Sequence, residues 1–133
     1  MPDLAAIQAL IEPLFPGLMG VRVTEIAGDR IVAEMPVRAD LCTAGGILHG
    51  GALMGLADST GGFCAFLNLP EGAAGTATIE SKTNFFAAIR EGWVEAVSRP
   101  LHIGKTTIVI DTDLLDSSGR RIARVTQTQA VLR

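Results

Sequence analysis

The chain has 133 residues, of which 48% are hydrophobic and 19% charged, so it can bury a substantial core and differs from a disordered segment. This length is typical of one domain, and we expect a single domain over residues 1–133. A formal net charge of −3 excludes the general positive field that binds nucleic acid or anionic membranes. We therefore expect no nucleic-acid and no membrane partner.

The first elements in chain order are a capped helix and a hairpin. Asp3 precedes apolar residues at helical spacing, which predicts a first helix that ends at Pro13 and Pro16. Two strands follow over 21–27 and 30–37, and the Gly-Asp pair between them is a turn signal.

The centre of the chain is a nearly uncharged segment with one carboxylate. After a loop of small residues over 39–46, the run 50–69 carries Asp58 as its single charge. Five glycines and the lack of basic flanks make a membrane span a poor interpretation, so we expect a helix buried on most sides. A buried carboxylate is costly unless it is paired or used, which makes Asp58 the first candidate for chemistry.

Four long strands are predicted in the second half, over 76–87, 92–103, 106–115 and 121–132. Short connections between them favour antiparallel pairing. The predicted fold class is therefore α+β, with a curved antiparallel sheet wrapped around the long central helix. Gln127 and Gln129 share one face of the last strand, where they could meet a polar interface, and the pattern does not place them further.

Helical geometry decides which of the candidate residues can cooperate. Asp58 lies about 12 Å along the axis from Gly50, so His49 and Asp58 of one chain cannot form an acid/base pair, and a triad with Ser59 fails for the same reason. Small residues share the face of Asp58, which permits close approach of another helix or a flat ligand; they are Gly51, Gly55, Gly62 and Ala65.

An antiparallel second copy of this helix would bring free N–H groups at Gly50 and Gly51 opposite Asp58. Backbone donors can polarise a carbonyl oxygen, and a carboxylate can act as base or nucleophile. A two-fold axis would create two such sites in each dimer.

The run G-I-L-H-G-G-A-L-M-G-L-A-D, followed by the four-strand tail, resembles the hot-dog thioesterase superfamily. The resemblance is closest to the phenylacetate-degradation and 4-hydroxybenzoyl-CoA type and covers roughly residues 18–132. It implies a hot-dog fold and hydrolysis of an acyl-CoA to free acid and CoA. It also implies a homodimer that forms the site, within a homotetramer, and no metal or redox cofactor, because CoA is part of the substrate.

The resemblance implies catalytic roles for Gly50 and Asp58, and His49 is a third catalytic candidate. Gly50 would supply the N–H that polarises the thioester carbonyl, and Asp58 from the other subunit would activate water or attack the thioester itself. We expect the ring of His49 to bond the backbone of the tight turn, with catalytic assistance as the alternative. The bare helix face at Gly51 and Gly62 would border the substrate.

Further substrate contacts follow from the same resemblance. Thr43 stands where many members carry an Asn or Gln near the reacting group. Thr76 or Thr78 would provide a polar contact that relatives make with Ser or Thr. Lys105 lies in a Gly-Lys segment that in relatives is near the nucleotide end of CoA, so we expect it to contact a phosphate.

The sequence leaves two alternative functions open. A non-catalytic acyl-CoA binding module would use the same fold, whereas an acyl-thioester hydratase would usually need a His close to Asp58 on the helix.

Cys42 and Cys64 have neither metal-ligand spacing nor a disulfide-rich context, so we expect reduced packing thiols. The N-terminus lacks the basic start of a signal peptide, and we expect a cytoplasmic protein.

Overall fold

The computed structural model describes residues 2–133 as helices packed against one six-stranded antiparallel sheet. The helices are α1 (Leu4–Ile11), α2 (Phe15–Leu18) and α3 (Gly50–Leu67). The strands are β1 (Arg22–Ala27), β2 (Arg30–Pro36), β3 (Gly75–Phe85), β4 (Trp93–Ile103), β5 (Thr107–Leu115) and β6 (Arg121–Leu132). The predicted α+β class and the predicted central helix are confirmed.

The sheet covers α3 on several sides, which is the hot-dog arrangement expected from the sequence. Helix α3 contacts β2, β3, β4, β5 and β6. Strand β5 shows why the core lies on one face of the sheet: Ile108, Ile110 and Leu114 are fully buried, whereas Asp111 and Asp113 face outward. Both outward carboxylates pair with Arg124 of β6, at 2.9 and 3.3 Å.

Two features of the chain path differ from the sequence expectation. The sequence predicted that Pro16 ends the first helix, but α1 already ends at Ile11 and Pro16 lies in the first turn of α2. Proline is tolerated there because its missing N–H would have no partner in a first helical turn. Within the loop over 39–46, Ala39–Leu41 forms one turn of 3-10 helix.

Strand order is the second difference. The order is β1-β2-β4-β5-β6-β3, so β3 pairs with β6 and not with its neighbour in sequence, β4. Strand β3 is therefore an edge strand eleven residues long, and most of its side chains are exposed. Within residues 2–133, no helix combines the length and the apolar composition needed to cross a membrane.

Candidate active site

The N-terminus of α3 is capped by the side chain of His49. Its Nδ1 accepts a hydrogen bond from the Gly51 N–H at 2.7 Å, and its backbone carbonyl accepts from Ala52 and Leu53 at 2.9 and 3.2 Å. The predicted bond between the ring and the turn backbone is therefore present. Because Nδ1 accepts, the neutral ring carries its proton on Nε2, which leaves that N–H as a second donor.

Capping leaves a single free donor in the first turn of α3. A helix start has four N–H groups without an intrahelical acceptor, here those of residues 49–52. The N–H of His49 donates to Leu41 O at 2.9 Å, and those of Gly51 and Ala52 donate to His49. The Gly50 N–H donates to no group within residues 2–133. The expectation that Gly51 is also a free donor is therefore wrong, because its N–H donates a hydrogen bond to the His49 imidazole.

Gly50 opens into a cavity of ≈ 470 Å³ between the loop over 39–46 and the end of β3. Thr43, Leu53 and Phe85 contribute to its walls. A Cβ on Gly50 would lie 3.0 Å from the Phe85 ring, so glycine at this position leaves room for that ring. The structure thus brings the predicted residues Thr43 and Gly50 together.

Asp58 lies on the exposed side of α3, contrary to the expectation of a buried carboxylate. The sheet wraps only part of the helix and leaves this face uncovered. Asp58 Oδ1 accepts from Thr78 Oγ1 at 2.9 Å and from Gln127 Nε2 at 3.4 Å. No donor within residues 2–133 reaches Oδ2, so one carboxylate oxygen is held and the other is available.

A second cavity, of ≈ 490 Å³, surrounds Asp58. Its walls include Gly62 and Phe63 of α3 and Thr76 and Thr78 of β3. Of the two threonines expected to provide a polar substrate contact, Thr78 contacts the Asp58 carboxylate directly. The Thr76 hydroxyl instead lies 2.8 Å from Ala130 O and 3.0 Å from Gln129 Oε1, and its single proton is shared between these two acceptors.

One chain therefore holds two half-sites on one helix. The Gly50 N–H and the Asp58 carboxylate open into different cavities and are eight residues, about 12 Å, apart along α3. The donor and the carboxylate cannot act on one carbonyl group within a single chain. Asp58 is exposed and Gly50 is half-buried at the helix start, so only a second copy of the chain can bring such a donor and such a carboxylate together.

Other predicted residues lie at the margins of this region. Lys105 is exposed in the β4–β5 turn, where its carbonyl accepts from Arg133 Nη2 at 3.0 Å. Of the small residues predicted to share the face of Asp58, Gly51 is exposed and Gly55 and Gly62 are half-buried, but Ala65 is fully buried. The predicted bare strip therefore ends before Ala65.

Gln127 and Gln129 are the residues near Asp58 that the sequence pattern left unplaced. Both are buried on the inner face of β6, with exposures of 0% and 1%, and both reach the side-chain network around the carboxylate. Their spacing is in phase with the buried Val125, which is the signal that could have placed them inside.

Cys42 and Cys64 are both free thiols, as expected. Cys64 lies on the sheet-facing side of α3, where burial, with a smaller effect from the charge of Asp29, raises the pKa of its thiol to about 11. Such a thiol stays protonated and serves packing rather than chemistry. Among residues 2–133, no three His, Cys, Asp or Glu side chains lie close enough together to hold a metal ion.

Comparison with known proteins relates this chain to thioesterases in both its family model and its sequence relatives. Residues 45–123 match the model of the thioesterase superfamily. The chain is 33% identical over 129 residues to 1,4-dihydroxy-2-naphthoyl-CoA hydrolase of Escherichia coli (strain K12), covering 97% of this chain and 94% of that protein. It is 32% identical over 129 residues to the proofreading thioesterase EntH of Klebsiella pneumoniae, covering 97% of this chain and 93% of that protein.

A solved structure agrees equally well in fold. The crystal structure of a mutant of thioesterase PA1618 from Pseudomonas aeruginosa superimposes with a TM-score of 0.94 at 31% identity. The match covers 99% of this chain and 95% of that chain. Agreement over nearly the full length means that the whole domain, and not only the helix motif, is shared.

Proposed function

The chain belongs to the thioesterase superfamily and hydrolyses a thioester, and on this premise we propose that its substrate is an acyl-CoA and that two subunits build each active site. The observation that carries the proposal is the division of the site described above. A free Gly50 N–H at the start of α3 and a free Asp58 oxygen on its exposed side lie on one helix, too far apart to meet in one chain.

The proposed dimer is supported by the edge of the sheet. Strand β3 pairs only with β6 among the described strands, so its other edge presents unpaired backbone groups over eleven residues. Long unpaired edges favour pairing with another chain. Exposed apolar side chains flank this edge and the adjacent helix face, including Ile79, Met54 and Phe66. Two-fold pairing here would set two α3 helices side by side.

In the proposed site, each chemical role has one residue. The thioester carbonyl oxygen accepts a hydrogen bond from Gly50 N–H at the positive end of α3, which stabilises the developing oxyanion. Asp58 of the partner subunit then takes a proton from water as the water oxygen attacks the carbonyl carbon. The carbon–sulfur bond breaks, and the CoA thiolate receives that proton from Asp58.

A direct attack by Asp58 is the second route open to the same geometry. The carboxylate would form a mixed anhydride with the acyl group and release CoA, and water would then hydrolyse the anhydride. The two routes differ in the origin of the oxygen in the product. After direct attack, water that hydrolyses the anhydride at the Asp58 carbonyl carbon leaves an unlabelled Asp58 oxygen in the acid and a labelled oxygen in Asp58. In one turnover in ¹⁸O-water, an unlabelled acid with labelled Asp58 therefore identifies this route, whereas activated water places the label in the acid and none in Asp58.

Substrate recognition is divided between the two cavities. We place the acyl group beside Asp58, where Gly62 and Phe63 leave space for an aromatic ring or a short to medium chain. Thr43 and Gly51 border the reacting group, and Lys105 contacts a phosphate of CoA. His49 fixes the helix start, so its main effect is on the direction of the Gly50 N–H.

The proposal also covers the oligomeric state and the cellular location of the protein. We propose a homotetramer, because β4 presents exposed apolar side chains, among them Trp93 and Leu101, away from the β3 edge. Light scattering would measure this mass directly. Free Cys42 and Cys64 are compatible with the reducing cytoplasm, where we place the protein.

The test is release of free thiol from a panel of acyl-CoAs. We expect turnover of at least one aromatic or short to medium acyl-CoA. Asp58→Ala should lower kcat by at least ~100-fold, the scale of a lost general base. A folded Asp58→Ala protein with full activity would contradict the proposed mechanism, and binding without thiol release would indicate a binding module.

A further inference from the structure

Two fully buried glutamines on the inner face of β6 have no obvious packing role. Gln127 and Gln129 occupy positions that would otherwise hold apolar side chains, in phase with Val125. A buried amide is destabilising unless it is hydrogen-bonded. The hydrogen-bond partners of the two amides therefore indicate the role of these side chains.

Gln129 supports Asp58 through Thr78. Gln129 Nε2 donates to Thr78 Oγ1 at 2.7 Å, and Thr78 Oγ1 donates to Asp58 Oδ1 at 2.9 Å. An ionised carboxylate only accepts, so the single Thr78 proton must go to Asp58 and the amide must present its NH₂ to Thr78. Thr76 Oγ1 lies 3.0 Å from Gln129 Oε1 and 2.8 Å from Ala130 O, and its single proton is shared between these two acceptors.

Gln127 approaches the same carboxylate oxygen from a different direction. Its Nε2 lies 3.4 Å from Asp58 Oδ1, and its buried Oε1 has no partner within residues 2–133. A Cβ on Gly61 would lie 2.2 Å from that Oε1. Glycine at this position of the helix is what leaves room for the Gln127 amide.

Both hydrogen-bond donors to Asp58 contact the same carboxylate oxygen. Thr78 and Gln127 converge on Oδ1, and Oδ2 is left without a donor from residues 2–133. Two donors on one oxygen fix the rotation of the carboxylate about its Cβ–Cγ bond, so Oδ2 is the oxygen presented to solvent and substrate. The bond from Thr78, at 2.9 Å, is charge-assisted and therefore stronger than one between neutral groups, whereas the contact from Gln127, at 3.4 Å, is weaker.

We propose that Thr78 and Gln129 are positioning residues, and that their relay, with Gln127, holds Asp58 so that Oδ2 is the acting oxygen. This inference rests on the proposed role of Asp58 in hydrolysis. It assigns a function to residues of β3 and β6 that do not themselves contact the reacting atoms. Gln129 acts through Thr78, and Thr78 acts through Asp58.

The test compares kcat and KM for the homo-oligomeric full chain carrying Thr78→Val, Thr78→Ser, Gln129→Met or both Thr78→Val and Gln129→Met. Thr78→Val should lower kcat by about 10- to 100-fold, the scale of a hydrogen bond to a charged group, and leave KM within about 2-fold. Thr78→Ser should restore most of the loss. In the double variant, Gln129→Met should add nothing, because its effect passes through Thr78.

Thr128→Val is the matched control. Thr128 lies between the two glutamines on β6 but faces outward, where its hydroxyl donates to Glu80 Oε1 at 2.8 Å. Its loss should leave kcat unchanged, although the strand loses one side-chain bond. If Thr78→Val behaves like Thr128→Val, or if the Gln129 and Thr78 effects multiply, the relay does not position Asp58.

Asp58→Asn, assayed in parallel, separates this inference from the proposed function. An inactive Asp58→Asn beside a fully active Thr78→Val would reject only the relay. A fully active Asp58→Asn would reject the role of Asp58 itself, and the relay with it.

Discussion

Gly61 and Gln127 should behave as a coupled pair in the stability of the protein. The α-carbon of Gly61 faces the Gln127 amide so closely that a Cβ would lie 2.2 Å from Oε1 and 2.7 Å from Cδ. Gln127 is 0% exposed and cannot swing into solvent. In Gly61→Ala, overpacking should cost about 3 kcal/mol, offset by about 1 kcal/mol of better helix propensity. The net loss of about 2 kcal/mol should lower Tm by about 6–10 °C.

The sign of the effect should reverse when the amide is removed. In a Gln127→Ala background, the added methyl group meets a cavity, so Gly61→Ala should stabilise the protein by about 1 kcal/mol. The coupling free energy is then about 3 kcal/mol, measured by urea unfolding of the four proteins at one fixed protein concentration. Equal effects of Gly61→Ala in both backgrounds would refute this reasoning.

Three further predictions concern single residues away from the relay. His49→Ala should lower the free energy of unfolding by about 1 kcal/mol through loss of the helix cap, and His49→Asn should recover most of it in urea titrations. Because the thiol pKa of Cys64 is raised to about 11 from its ordinary 9.0, the unfolded chain loses this proton first as pH rises. Stability should therefore fall between those pH values, and less so in Cys64→Ala. The Ser118 hydroxyl is the main cause that holds the pKa of Asp116 below its ordinary 3.8, so Ser118→Ala should raise the NMR-measured pKa. The stabilisation from Asp116 is present above that ordinary value and lost as pH falls through the lowered one, so Ser118→Ala should destabilise more at pH 7 than in strong acid.

The sequence predicted the helix and strand pattern well, because those signals are local. The long helix begins after His49 as expected and ends at Leu67, two residues before the end of the predicted run, and the alternation in β5 places Ile108 and Asp111 on opposite faces. The pairing of β3 with β6 was not predictable in this way. It joins segments about 45 residues apart, and the local pattern of neither strand encodes its neighbour in the sheet.

The chemistry of the site was predicted less completely than its location. Asp58 and Gly50 are prominent in the sequence because one is a lone charge and the other starts a helix. The exposure of Asp58 depends on which sides of the helix the sheet leaves open, which is a tertiary property. The use of the Gly51 N–H by His49 depends on a side-chain rotamer, and Gln129 meets Thr78 only because β6 pairs with β3.

The measurement that tests shared active sites most directly is subunit complementation. Gly50→Pro removes the proposed donor, and the extended backbone of His49 (φ −64°, ψ 135°) suits a following proline. Its Cβ would lie 3.0 Å from the ring of Phe85, which is exposed and can move aside. Gly50→Pro and Asp58→Asn homodimers should each be nearly inactive. A purified hybrid dimer of the two has one site with both lesions and one intact site, so we expect about half of the wild-type kcat per dimer. A hybrid as inactive as its parents would contradict a site built from two chains.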